Sequence, residues 1–146
     1  MKIRKLLLDD IDACVKLLIA TYNPPPWNNR WTEETGKKYL AEFMSNNNFI
    51  GFVLEEDNEI VGAMFAHRKV WWTNDEIYID ELFIKPDRQS HGCGKLLMDQ
   101  AELLSKELGL GGVTLLTNKH HPAKKFYEKR GYVVAEHVVF MYKELQ

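Results

Sequence analysis

The sequence predicts a single α/β (α+β) domain, residues 1–146, with about four helices flanking a mixed, mostly antiparallel central β-sheet that contains one parallel strand pair. Three observations carry this reading. Runs rich in β-branched and aromatic residues alternate with runs of helical period, in the order β-α-α-β-β-β-α-β-α-β-β. A strand, a helix and a strand follow one another across residues 76–117, which calls for a right-handed crossover between parallel strands. Earlier strands flank a short polar tip, as antiparallel neighbours do. With 146 residues, 45% of them hydrophobic, the chain can bury a core without disulfides or metal.

Taken in order, residues 2–8 suit a strand, and Asp9 or Asp10 then caps a helix whose face is Ile11, Val15, Leu18 and Tyr22. Pro24, Pro25 and Pro26 end it, because three prolines cannot continue a helix. An ordered loop runs to Trp31. Thr32 caps a second helix, with Glu33 and Glu34 at its positive end and Leu40, Phe43 and Met44 on its apolar face. Phe49–Leu54 and Ile60–His67 read as a hairpin around the polar tip 55–59, with Val70, Trp71 and Trp72 extending its second strand. A strand over 76–84 follows, then a helix over 95–108 whose face is Leu97, Ala101, Leu104 and Leu108, ended by glycines. Val113–Thr117 is a further strand. Pro122 opens a helix with Ala123, Phe126, Tyr127 and Arg130 on one face, stopped by Gly131. Residues 132–145 read as two strands parted near Ala135, Glu136 and His137.

Net charge is −2, so no single-sign excess drives binding to nucleic acid or a membrane, and neither is expected as a partner. Cys14 and Cys93 stand at no metal-ligand spacing, so no metal is expected and both read as reduced thiols of a cytoplasmic protein. The N-terminal apolar run stops at Asp9, short of a signal-peptide core, and no stretch approaches the ~20 apolar residues of a membrane span.

The tract Gln89-Ser90-His91-Gly92-Cys93-Gly94-Lys95 lies between strand and helix. A helix N-terminus with bare amides is an anion site, and paired glycines let backbone wrap closely around a phosphate-sized group. A phosphate-bearing ligand is expected there.

Two blocks, Leu82-Phe83-Ile84-Lys85-Pro86-Asp87-Arg88-Gln89-Ser90-His91-Gly92-Cys93-Gly94-Lys95-Leu96-Leu97 and Ala123-Lys124-Lys125-Phe126-Tyr127-Glu128-Lys129-Arg130-Gly131-Tyr132, make the whole chain resemble the GCN5-related N-acetyltransferase (GNAT) family. The first resembles the family's pyrophosphate loop, (Gln/Arg)-x-x-Gly-x-(Gly/Ala), and the second its Ala-x-x-Phe-Tyr-x-x-x-Gly-(Phe/Tyr) helix. Tyr78–Ile84 is similar to the Glu-Asp-Phe-Phe strand of diamine and polyamine acetyltransferases, whose proposed base aligns with Asp80.

The resemblance implies the acyl-CoA N-acyltransferase fold, with its parallel strands splayed, and acetyl-CoA as co-substrate. It implies that the backbone of Leu82, Phe83 and Ile84 meets pantetheine while the loop, with Arg88 and Lys95 adding charge, meets pyrophosphate. His91 reads as either a further donor there or an exposed loop histidine, and Cys93 reads as core filling rather than a nucleophile. Ala123 and Phe126 join the cofactor site, together with Asn118 or His120, which stands where the family often has asparagine. Asp80 or Glu81 would take the amine's proton, and strand alternation sends the two to opposite faces unless a bulge intervenes. Tyr127 would protonate the leaving thiolate; a core tyrosine with a satisfied hydroxyl is the other reading. Tyr22, Trp27, Trp31 and Trp72 would line the acceptor site, as aromatic walls that suit a cation. The expected activity is acetyl transfer from acetyl-CoA to a primary amine of a small cationic acceptor (a polyamine, aminoglycoside or amino-acid derivative). Acetylation of a protein or peptide, and a non-catalytic CoA-binding sensor, are the alternatives. A homodimer paired through residues 132–145 and a monomer are both open.

Overall fold

The computed structural model describes residues 1–146. Met1–Leu115 forms one compact unit and Leu116–Gln146 a second. In the first, β1 (Lys2–Lys5), β2 (Phe49–Glu56), β3 (Glu59–Lys69), β4 (Glu76–Ile84) and β5 (Val113–Leu115) make a five-stranded sheet in sequence order. The first three pairings are antiparallel and β4–β5 is parallel, which gives the mixed sheet expected from the sequence. The helices are α1 (Ile11–Tyr22), α2 (Glu33–Met44), α3 (Cys93–Glu107) and, in the second unit, α4 (Ala123–Lys129).

α2 starts where local chemistry satisfies its first amides. The Thr32 hydroxyl accepts the Thr35 N–H at 3.0 Å, and the Thr35 hydroxyl answers the Thr32 N–H at 2.9 Å. α1 differs from expectation. The Asp10 carboxylate accepts the Leu7 N–H at 2.7 Å and is held by Arg4 at 2.8 Å, so a 3-10 turn over Leu8–Asp10 leads into α1 without a side-chain cap. Arg4 also pairs with Glu55, which ties the edge strand to both neighbours.

α1 and α2 cover one face of the sheet, where Val53, Ala63, Phe65 and Phe83 bury against Cys14, Val15, Leu18 and Leu40. Gly36 lets the two helices approach closely, since a Cβ there would stand 3.0 Å from Val15 Cγ1. α3 covers the other face with Leu97, Met98 and Ala101, all buried. Burial of this order, about 25 cal/mol per Å2 of apolar surface, is what holds the layers together.

Several sequence-based expectations are corrected, and the first strand stops at Lys5 rather than at residue 8, giving way to the 3-10 turn. β3 ends at Lys69, whose partner Glu76 closes the ladder, so Val70, Trp71 and Trp72 form an exposed hairpin loop. β5 stops at Leu115 rather than Thr117. Residues 132–145 hold no strand. Their valines and aromatics have strand propensity, but a strand exists only with a ladder partner, and their own unit contains no other strand. The break expected near residues 135–137 is present as a turn, with the Val138 N–H bonded to the Ala135 carbonyl at 3.1 Å.

Candidate active site

β4 reads Ile77-Tyr78-Ile79-Asp80-Glu81-Leu82-Phe83, and simple alternation would put Asp80 and Glu81 on opposite faces. The register with β3 slips here: Phe65 faces Glu81 while the next residue, Ala66, faces Ile79, leaving Asp80 as the extra residue of a β-bulge. The slip changes the phase of the strand. Tyr78 and Asp80 share a face with Glu81 and Phe83, and that face is the one covered by α1 and α2. Side-chain contacts agree. Asp80 Oδ2 lies 2.7 Å from Nδ1 of His67 on β3, and Glu81 meets the hydroxyls of Tyr22 on α1, at 3.3 Å, and Tyr39 on α2. Both carboxylates therefore occupy one site.

An aromatic wall surrounds them. Tyr22 packs edge-on to Trp27 at 5.4 Å and to Phe83 at 6.1 Å; Trp31 stacks on Tyr39 at 4.7 Å. Asn23 fixes the Trp31 backbone from both sides, its Oδ1 accepting the Trp31 N–H and its Nδ2 donating to the Trp31 carbonyl, each at 2.9 Å. Burial pushes the Glu81 carboxyl above the usual range. Hydrogen bonds from Tyr39 and Tyr22 oppose the rise, and the Asp80 charge adds to it. Burial, then the Glu81 hydrogen bond and the two carboxylate charges, push the Tyr39 phenol up. The site thus carries more negative charge than its surroundings accommodate easily.

Of the four residues expected to line the acceptor site, Tyr22, Trp27 and Trp31 are brought together. Trp72 is not: it lies 86% exposed in the β3–β4 loop and joins none of these ring contacts. His67, Tyr39 and Tyr78 were absent from the expected set. Tyr39 stands four residues before Phe43 on the apolar side of α2, a spacing that could have flagged it. His67 could be found only through the bulge.

Beyond Ile79, opposite Leu115, β4 has no partner on its β5 side. The Lys85 N–H bonds back to Val61 of β3, whereas the carbonyls of Leu82 and Ile84 accept the hydroxyls of Tyr22 and Thr21, both at 3.3 Å. Residues 82 and 84 accordingly turn their backbone toward the open edge. The strand then enters the loop. Gly92 holds φ +83°, where a side chain is strained, and a Cβ there would meet nothing within 4 Å. Its carbonyl accepts the first helical bond of α3, from the Leu96 N–H at 3.1 Å, so the amides of Cys93, Gly94 and Lys95 precede the helix ladder. Open space before bare amides fits a phosphate-bearing group.

The basic side chains of this loop are engaged elsewhere. Arg88 is held by Glu56 at 3.1 Å, Lys95 by Asp99 at 2.7 Å, and the Gln89 amide by the Ile84 carbonyl at 3.1 Å. His91 Nδ1 lies 2.9 Å from the Gln89 carbonyl, and Ser90 adopts φ +65°. Cys93 is buried beside Met1, and burial pushes its thiol up, which suits packing rather than nucleophilic chemistry.

In the second unit, Ala123, Phe126, Tyr127 and Arg130 are the half-buried face of α4, as its periodicity predicts. Tyr127 packs edge-on to Phe126 at 5.2 Å and Tyr132 at 5.7 Å, and its carbonyl closes the helix by accepting the Tyr132 N–H at 3.1 Å. Asn118 Oδ1 accepts the His120 N–H at 2.8 Å, bracing the turn before the helix. A cavity of about 270 Å3 lies there, lined by Lys119, Lys124, Lys125, His120 and His121 among others, which makes it basic.

The chain belongs to the GNAT acetyltransferase family, whose sequence profile matches residues 13–132, and it is an acetyl-CoA-dependent N-acetyltransferase. A Bacillus subtilis (strain 168) protein assigned as a ribosomal protein bS18-alanine N-acetyltransferase is 25% identical over 130 residues, 88% of this chain and 78% of that one. Among solved structures, a possible acetyltransferase from Clostridium difficile 630 has a TM-score of 0.81 at 15% identity, covering 99% of this chain and 98% of its own. An aminoglycoside acetyltransferase from an uncultured soil metagenomic sample, solved with sisomicin, has a TM-score of 0.77 at 24% identity, covering 99% and 96%. These two likenesses establish the fold. No helix of the chain is long and apolar enough to cross a membrane.

Proposed function

We propose that this acetyltransferase moves the acetyl group of acetyl-CoA to a primary amine of a small cationic acceptor, by direct attack in a ternary complex. One observation carries the reading: the bulge sets Asp80 and Glu81 on one face, walled by Tyr22, Trp27, Trp31 and Tyr39. Adjacent carboxylates raise the cost of ionising each other, and an ammonium between them lowers it. Aromatic faces add cation–π attraction of about 0.5–2 kcal/mol. Polyamines, aminoglycosides and basic amino-acid derivatives share that chemistry.

The remaining residues take the roles their chemistry suits. Backbone amides of the loop Gln89–Lys95, chiefly those of Cys93, Gly94 and Lys95, hold the pyrophosphate, with Arg88 and His91 at the margin. The strand segment Leu82, Phe83 and Ile84 receives pantetheine along its open edge at residues 82 and 84, and an N–H there stabilises the thioester oxygen. Asn118, Ala123 and Phe126 complete the cofactor contacts. Acetyl-CoA supplies the activated acyl group. The acid pair on the bulge, Asp80 and Glu81, draws the ammonium in and favours the loss of its proton, and Tyr127 protonates the departing thiolate.

A second reading, transfer to the α-amine of a protein, is favoured by the Bacillus subtilis relative. CoA release measured with spermidine, aminoglycosides and alanine-terminated peptides separates the two. Highest kcat/KM is expected on a cationic small amine, with Tyr127→Phe lowering kcat at unchanged acetyl-CoA affinity. A preference for the peptide over every small amine overturns the acceptor assignment.

A further inference from the structure

We infer that His67, held in one tautomer by Asp80, is the group that takes the proton from the acceptor ammonium. This rests on the acetyl-transfer reading above and names the atom that performs its proton step. His67 sits on β3 at 23% side-chain exposure, and Asp80 on the bulge at 13%. The more accessible member is therefore the imidazole. With Asp80 ionised, its Oδ2 at 2.7 Å accepts the proton on His67 Nδ1, which leaves the lone pair on Nε2. A buried carboxylate that fixes tautomer and ring orientation, and then stabilises the imidazolium, is the logic of a general-base dyad.

Neither carboxylate is equally well placed for the proton itself. Both Glu81 oxygens meet phenols, so neither is left for the amine. Asp80 has one oxygen against His67. The titratable groups around the imidazole are Asp80 and Tyr78 on β4, the latter with its ring 5.4 Å away, and Lys69 further along β3, whose Nζ lies 5.4 Å from the Tyr78 ring. Glu81 and Tyr39 share the same face, and β2 presents only Phe49 opposite His67.

The protons balance. An ammonium carries three N–H bonds and the product amide one. One proton goes to His67 Nε2 and from there to solvent; the other is lost as the nitrogen–carbon bond forms and the carbon–sulfur bond breaks, and ends on the CoA thiol. Asp80 neither gives nor takes a proton in this sequence and is a positioning residue.

The test uses the full chain with the best amine of the panel, whichever class that proves to be. His67→Gln, which keeps an acceptor-sized polar group, is expected to lower kcat/KM for the amine about 10²–10⁴-fold, with acetyl-CoA KM and thermal midpoint near those of the wild type. The acidic limb of the kcat/KM profile is expected to vanish in this variant, and added imidazole to restore turnover in His67→Ala. Asp80→Asn is expected to lower kcat with the same limb displaced. Nitrogen NMR of the free protein should show neutral His67 protonated at Nδ1, a readout independent of the acceptor. An Nε2-protonated ring, or His67→Gln with wild-type rate and profile, overturns the inference while leaving acetyl transfer intact. No CoA release with any amine overturns both.

Discussion

Tyr39→Phe isolates one hydroxyl in the acid cluster. The ring that stacks on Trp31 at 4.7 Å and packs on Phe43 at 4.8 Å stays, and only the donor to Glu81 is lost. A hydrogen bond to a charged group contributes about 1.5–3 kcal/mol, against about 0.5–1.5 kcal/mol for a neutral pair. The loss should thus depend on the charge of Glu81. Its carboxyl is already raised by burial, so its contribution to stability is fully present below the unfolded carboxylate range, about 4.3, and is lost as pH rises through the folded value. Tyr39 opposes that rise. Without it the folded value climbs further, and the variant loses more stability than the wild type as pH increases. At about pH 8 a deficit of ~2 kcal/mol corresponds to a Tm lowered by roughly 4–8 °C for a chain of this size. Near pH 4 the deficit should shrink by about half, following the neutral-pair figure. Urea unfolding at the two pH values measures both. A deficit of equal size at the two, or none at either, would refute the account of Glu81 as a buried carboxylate held ionisable by phenols.

Gly92→Ala meets no steric neighbour but must hold φ +83°, so it should cost about 1–2 kcal/mol of stability through the backbone alone, and weaken CoA binding by calorimetry as the loop relaxes. Unchanged stability would mean the loop adopts another conformation. Asp10→Asn removes the carboxylate that Arg4 and the Leu7 N–H hold below the usual range against burial. Its deficit, about 1–3 kcal/mol, should be complete at neutral pH and fade as pH falls through the depressed Asp10 value, the opposite trend to that of Glu81; denaturant titration across the acid range checks the sign.

Legibility followed locality. The Thr32 cap, the apolar face of α4 and the glycine at the head of α3 are set by residues a few positions apart, so the sequence displays them. α1 does start after Asp10 as the sequence indicates, but the Asp10 carboxylate answers a strand residue, Arg4, rather than the amides of its own helix. Residues 132–145 differ from the strands their propensity predicts, because propensity makes a strand only where another strand offers a ladder. The acid cluster was legible in composition and not in geometry. Asp80 and His67 are 13 residues apart across a hairpin, and nothing local to either says that they meet.

What brings them together is the register slip, and the same slip decides where Glu81 can exist. In unbroken alternation residues 77, 79, 81 and 83 would share a face. Ile77 and Ile79 are buried, and on the face away from α1 and α2 the neighbours are Leu97, Met98 and Ala101 of α3. A carboxylate sent there would have no hydrogen-bond donor, at a cost of several kcal/mol or a shift to its neutral form. One extra residue, Asp80, turns Glu81 and Phe83 over to α1 and α2, where two phenols meet the first and Phe65 stacks on the second at 6.0 Å. The bulged residue also directly follows Ile79, the last position of β4 paired with β5. The irregularity that gathers the acid–base groups therefore sits at the point where the strand edge opens. Under the proposed function, this one feature of β4 sets both the carboxylate that holds the proton acceptor on β3 and the strand edge offered to the acyl donor.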